Sequence, residues 1–189
     1  MRNFLIVGQT GVGKSSFVNA TFGKQVASID EFRACTNIVK YHAYETPFGD
    51  VCLIDTPGLS ESTEELDLEY LAMIGSSVEY QNLYATLYIS PLNATRLRSS
   101  EKSTLKLLTE VLGSTIWLNA WLVFTFAASV TPERLEVAWQ ERHRQIAHYL
   151  QEITASGACF ENFHQIILID NVVCNWSKEA VPVASLLAT

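Results

Sequence analysis

One octapeptide restricts the fold more than anything else in this chain: Gly8-Gln9-Thr10-Gly11-Val12-Gly13-Lys14-Ser15. It follows the apolar run Phe4-Leu5-Ile6-Val7 and precedes a helical pattern from about Lys14 to Phe22. The octapeptide satisfies G-x-x-x-x-G-K-[ST] in full, at the strand-to-helix junction where that motif has a mechanism. Glycines let successive backbone N–H groups turn toward phosphate oxygens. The helix N-terminus adds the positive end of its dipole. Gln9, Thr10, Gly11, Val12, Gly13, Lys14, Ser15 and Ser16 are therefore expected to line the phosphates. Lys14 would bridge the β- and γ-phosphates, and the Ser15 hydroxyl would ligate Mg²⁺. The alternative, a chance glycine turn with a surface lysine, does not account for the complete motif in this context. The motif points to a nucleoside di- or triphosphate and is silent about the base.

Short apolar runs alternate with helical periods along the rest of the chain. Asn37 to Glu45 and Val51 to Ile54 read as a hairpin around Pro47, Gly49 and Asp50. An acidic loop, Ser60 to Glu65, leads into a helix from about Leu66 to Glu79. Leu83 to Ile89 is a strand. Ser99 or Ser100 is an expected N-cap for a helix reaching Leu112, with Leu105, Leu108 and Leu112 on one face and Gly113 closing it. Trp121 to Phe126 is a buried strand. Thr131 and Pro132 open a long helix whose inner face is Leu135, Ala138, Trp139, Ile146, Tyr149 and Ile153, closed by Gly157. His164 to Ile169 is the last strand. This order predicts a three-layer α/β fold. Its sheet is mostly parallel with one antiparallel strand, and helices cover both faces.

The 189 residues suit a single domain spanning 1–189, with 178–189 as a C-terminal strap or truncated linker. With 48% hydrophobic and 17% charged residues, a large core is feasible. A net charge of −7 without a Lys/Arg run argues against a nucleic-acid partner or an anionic membrane. No signal-peptide layout opens the chain, and Ile116 to Val130 is too short to span a bilayer. A cytoplasmic protein is expected, with any membrane attachment carried by segments outside this chain. Cys35, Cys52, Cys159 and Cys174 form no C-x-x-C pair and read as core residues of a reducing compartment. His143 and His148 miss the i, i+4 spacing of a metal pair.

A second motif complements the first. Val51-Cys52-Leu53-Ile54-Asp55-Thr56-Pro57-Gly58 is an apolar strand ending in D-T-P-G. Asp55 at the strand end is expected to hold Mg²⁺ through its water shell, and the Gly58 N–H to contact the γ-phosphate. Thr36, at the end of an irregular loop, is the candidate switch threonine giving a hydroxyl to Mg²⁺. The plainer readings are a strand-end turn for Asp55 and a strand-entry residue for Thr36.

These two motifs, with Thr36 spaced ahead of Asp55, make the chain resemble the septin-related GTPases of the TRAFAC class. That group includes the avirulence-induced, immune-associated nucleotide-binding proteins and the chloroplast import receptor (Toc) GTPases. Weaker matches are Pro91-Leu92-Asn93-Ala94-Thr95-Arg96, Gly113 with Ile116-Trp117, and Val123-Phe124-Thr125. The likeness runs from about Phe4 to Asn175. It implies a Ras-like fold, GTP or GDP bound with Mg²⁺, slow hydrolysis, and dimers formed across the nucleotide face. It also gives Arg96 a role, that of an arginine reaching across the dimer to the partner's nucleotide. A solvated residue before a helix remains the equal alternative for Arg96.

The base motif departs from pattern. Guanine-selective domains place N/T-K-x-D after the fifth strand. Here Thr125 fits, Phe126 stands at the lysine and Ala128 at the aspartate. Phe126 offers a ring for stacking, whereas Ala128 accepts no hydrogen bond from guanine. The import receptors also depart here, with a T-H-A type sequence. Asp170-Asn171 resembles their Glu-Asn, giving Asn171 an amide contact to the base, against a plain turn residue. Leu59 occupies the place where many GTPases carry a water-orienting glutamine. Three readings follow: a dimeric GTP-hydrolysing switch, a nucleotide-dependent scaffold that hardly hydrolyses, and a P-loop ATPase or kinase with relaxed base choice.

Overall fold

The computed structural model describes residues 1–23, 25–27, 38–45, 49–59, 64–79, 82–154, 164–169 and 172–174. Thr36, Asn171, Gly157 and the 178–189 segment lie outside the described residues.

The strands are β1 (Arg2–Val7), β2 (Lys40–Tyr44), β3 (Val51–Asp55), β4 (Leu83–Pro91), β5 (Ala120–Thr125), β6 (His164–Ile169) and β7 (Val172–Cys174). They form one sheet in the order β2-β3-β1-β4-β5-β6-β7. The pairs β1/β3, β1/β4, β4/β5 and β5/β6 are parallel. The hairpin pair β2/β3 is antiparallel, as expected. The short pair β6/β7 adds a second antiparallel edge that the sequence reading did not include.

The helices are α1 (Lys14–Phe22), α2 (Glu64–Ser77), α3 (Ser99–Leu112) and α4 (Pro132–Thr154). Successive residues of β1 point to opposite faces, so Phe4 and Ile6 enter one core and Leu5 and Val7 the other. The first core packs Phe17 and Val18 of α1 against Phe4, Ile6, Leu53 and Leu87. The second packs Leu71 and Ile74 of α2, Leu105 and Leu108 of α3, and Ile146 and Leu150 of α4 against Leu5, Ile54, Tyr88 and Leu122. This is the three-layer Ras-like α/β arrangement.

Three local expectations need correction. Neither Ser99 nor Ser100 caps α3: both lie inside the helix, and Arg98 at the cap position makes no side-chain cap bond. Phe126 is not the last residue of β5 but a left-handed residue beyond it, with φ 55° and ψ 27°. The inner stripe of α4 includes Arg142, 1% exposed, between Trp139 and Ile146.

Candidate functional site

Because β1, β3, β4 and β5 are parallel, their C-terminal ends share one edge of the sheet, where crevices of open α/β folds bind ligands. Four segments leave that edge: the glycine-rich loop after Val7, Asp55 to Leu59, the 91–98 loop, and Thr125 with Phe126.

The loop from Gly8 ends at the first turn of α1, which carries Lys14, Ser15 and Ser16. Gly13, the N-cap, has φ 95° and ψ 22°, a left-handed conformation that side-chain-bearing residues rarely adopt. A Cβ there would also meet Cγ2 of Thr125 at 3.1 Å. Lys14 is only 7% exposed, and its Nζ donates to the carbonyls of Gly8 (3.2 Å) and Gln9 (2.7 Å). A buried ammonium is costly unless negative charge faces it, and a phosphate chain supplies that charge. Val12 is buried in the α1-side core, which anchors the loop from behind.

The D-T-P-G segment is hydrogen-bonded directly to this loop. Thr10 N–H donates to Leu59 O (3.0 Å), and Leu59 N–H donates to Gly8 O (3.3 Å). The Thr56 hydroxyl donates to Ile6 O (2.6 Å), and Asp55 is fully buried at the end of β3. Gly58 lies so close that a Cβ there would press on Oγ1 of Thr10 and stand 2.6 Å from its Cα and 2.8 Å from its N. The Thr10 hydroxyl is itself buried and takes no hydrogen bond among the described residues. The sequence pairing of the two motifs is thus a physical contact. A phosphate chain with a divalent cation fits the residues gathered here: an inward-facing glycine loop, a buried ammonium, a hydroxyl at Ser15 and a buried carboxylate at Asp55.

On the base side, the Thr125 hydroxyl donates to Val12 O (2.6 Å) and lies 3.5 Å from Ser90 O. Thr125, expected from the sequence on the base side, therefore braces the phosphate loop. Phe126 projects beyond it, 47% exposed, and its carbonyl accepts from the Ser129 hydroxyl (2.6 Å). A left-handed phenylalanine costs on the order of 1–3 kcal/mol, and such outliers cluster at ligand sites. Ala128 is exposed in the following turn.

Arg96 is exposed on the 91–98 loop. That loop begins with Leu92 N–H donating to Thr125 O (2.8 Å) and ends at α3. Behind it lies a buried polar network that the sequence reading missed. Arg142 of α4 pairs with Glu101 of α3 and donates from Nε to Ser90 Oγ (3.1 Å). Ser90 and Tyr88 of β4 both donate to Glu101 Oε1, at 3.0 and 3.2 Å. Burial, then the neighbouring Glu101 charge, pushes the Tyr88 phenol well above its ordinary range, so it stays a neutral donor. Next to Arg142 in sequence, hydrogen bonds from Arg144 and Gln145 hold the exposed Glu141 carboxyl down to about 2. Among the described residues no group of three or more His, Cys, Asp or Glu side chains gathers. Mg²⁺ held by a hydroxyl and phosphates does not call for one.

Comparison with known proteins agrees with this geometry. The model of the AIG1 family matches residues 2–166. "Translocase of chloroplast 90, chloroplastic" of Arabidopsis thaliana is 32% identical over 88% of this chain and 22% of its own length. "Translocase of chloroplast 34" of Pisum sativum is 30% identical over 88% of this chain and 54% of its own length. The chain thus spans between about a fifth and a half of these relatives. Among solved structures, a dimerization-deficient variant of Toc33 from Arabidopsis thaliana superposes with a TM-score of 0.80 at 23% identity, covering 100% of this chain and 84% of that one. Toc33 in complex with GDP and Mg²⁺ gives a TM-score of 0.78 at 22% identity, with the same coverage. With the phosphate loop, the D-T-P-G contact and the strand order in place, the family match over residues 2–166 closes the argument: the chain belongs to the AIG1 family of P-loop GTPases.

Proposed function

We propose that this chain is a guanine-nucleotide switch that binds GTP and GDP with Mg²⁺, hydrolyses GTP slowly, and pairs across its nucleotide face with a second copy or a related chain. The observation that carries this reading is the double tie on the phosphate loop, to D-T-P-G through Leu59 and to the base segment through Thr125. A loop tied to both is placed to register a γ-phosphate and a base together.

The residues divide the work. Backbone N–H groups of Gln9 to Ser16 cradle the phosphates, and Lys14 neutralises them. Mg²⁺, when bound, spreads the charge of the β- and γ-phosphates. Ser15, Asp55 and Thr36 are assigned to hold it. The Gly58 N–H is assigned to the γ-phosphate, and Thr125, Phe126 and Asn171 to the base side. Leu59 is 1% exposed and packed in the α2-side core, so its side chain orients no water. Slow hydrolysis by the isolated chain follows. Arg96 is the residue assigned to reach a partner's nucleotide. A solved variant of Toc33 is described as dimerization-deficient, and dimerization is described as important for the GTPase activity of chloroplast translocon components.

Buried Leu59 also favours a second reading, a nucleotide-dependent scaffold with negligible turnover. GTP hydrolysis per molecule that climbs with protein concentration supports the switch; a flat, near-zero rate supports the scaffold. Among the described residues no helix is long and apolar enough to cross a membrane. Work in the cytoplasm, or at a membrane through other segments, belongs to the same proposal.

Calorimetric titration with GDP and ADP, each with Mg²⁺, tests the base assignment. GDP is expected to bind well over tenfold more tightly than ADP, although Ala128 forgoes a charge-assisted pair of roughly 1.5–3 kcal/mol. Phe126→Ala should weaken GDP binding by about 1–3 kcal/mol, the range for losing an aromatic platform under a base. Equal binding of GDP and ADP would reduce the reading to a P-loop domain without base preference.

A further inference from the structure

The 91–98 loop carries an exposed arginine, yet the helix that follows it has no side-chain cap of its own. Leu92 N–H ties the start of the loop to Thr125 O (2.8 Å), and around the arginine the hold comes from α4. The Gln145 carboxamide brackets Arg96: its Oε1 accepts from Leu97 N–H (2.8 Å), and its Nε2 donates to Thr95 O (3.3 Å). The same Nε2 donates to Glu141 Oε1 (2.8 Å), and Glu141 also accepts from both Nε and one terminal nitrogen of Arg144, at 3.0 and 2.8 Å. A donor on one side and an acceptor on the other leave a single orientation for this amide. The residues before and after Arg96 are thus tied to one side chain, 50 and 48 positions away in sequence, respectively.

We propose that Gln145 is a positioning residue for Arg96. Its amide holds the backbone on either side of the arginine, so that the guanidinium projects from the nucleotide face in a fixed direction. This rests on the reading that Arg96 acts on a partner's nucleotide. The entropy logic is that of a pre-set reach. An arginine on a loop already ordered loses less freedom on docking than one on a loose loop, and a small misplacement of a group that stabilises transferring charge is expensive. Among the described residues Gln145 hydrogen-bonds to Leu97, Thr95 and Glu141 and not to the phosphate loop or to Thr125 and Phe126, so it acts through the loop it holds.

The test combines amide exchange with a double-mutant cycle on the full chain. In nucleotide-free protein, Gln145→Ala should speed exchange of the Leu97 amide by about three- to tenfold, the worth of one hydrogen bond. In GTP hydrolysis measured against protein concentration, Gln145→Ala should cut the concentration-dependent rise by a similar factor. In an Arg96→Ala background, Gln145→Ala should then change nothing further. Gln145→Glu, which keeps the acceptor for Leu97 but loses the donor to Thr95, should fall between. Unchanged Leu97 exchange, or an equal loss in both backgrounds, overturns the positioning role and leaves the Arg96 assignment standing. An Arg96→Ala protein that behaves like wild type overturns that assignment and the positioning role with it.

Discussion

Arg142→Ala is expected to destabilise the fold by about 3–5 kcal/mol, because it leaves the buried carboxylate of Glu101 without its counter-charge. Glu101 is 3% exposed, and its remaining partners are the neutral hydroxyls of Tyr88 and Ser90. Neither hydroxyl carries charge to offset the lost guanidinium. Denaturant unfolding, with the midpoint and slope compared to wild type, measures the loss. The paired replacement Arg142→Met with Glu101→Leu removes both charges at once but takes the acceptor from the Tyr88 and Ser90 hydroxyls, so it should recover only part of the loss. A single-mutant loss within about 0.5 kcal/mol, the range of ordinary surface changes, would show that the pair is solvated in solution.

Gly58→Ala is the functional counterpart. Its Cβ meets Thr10 backbone, not only the side chain, so the D-T-P-G segment must swing away or the phosphate loop must shift. Either movement breaks the hydrogen bonds that Leu59 exchanges with Gly8 and Thr10. GTP hydrolysis should fall on the order of 10²-fold, as expected for a misplacement near 1 Å. Adding Thr10→Gly removes the hydroxyl contact but keeps the 2.6 Å and 2.8 Å clashes with Cα and N, so it should not restore activity. Recovery in that double variant would mean that only the threonine side chain was in the way.

Features carried by a local pattern or a known motif are legible in the sequence; those completed by single side chains across long separations are not. Helix α1 follows from the phosphate-loop pattern to the residue, because Gly13, Lys14 and the apolar pair Phe17 and Val18 are all local. The D-T-P-G pairing is likewise readable from motif and spacing. Position 142 lies on the apolar stripe between 139 and 146, but an arginine there reads as polar until Glu101, 41 residues earlier, is seen to pair with it. The start of α3 shows the same limit: two serines suggest a cap, while the hydrogen bonds fixing the preceding loop around Arg96 come from Gln145 on another helix. Strand β7 has three residues, too few for a period to show. Phe126 belongs by composition to a strand, and only its left-handed backbone takes it out.

Thr125 divides the constraints on the segment proposed to read the base. Its hydroxyl supports Val12, and its methyl group packs on Gly13, so a change at this position disturbs the hold on any nucleotide. Among the described residues Phe126 and Ala128 make no such tie to the phosphate loop; on the reading proposed above, substitution there changes how the base is held. On that reading, the base contact can change at these two positions while the ties on the phosphate loop stay as they are. The left-handed backbone at 126 narrows the route, since few side chains other than glycine and asparagine settle there without strain. Departure from the usual base motif is then compatible with an intact phosphate loop, because Thr125 keeps the ties to Val12 and Gly13 whatever stands at 126 and 128.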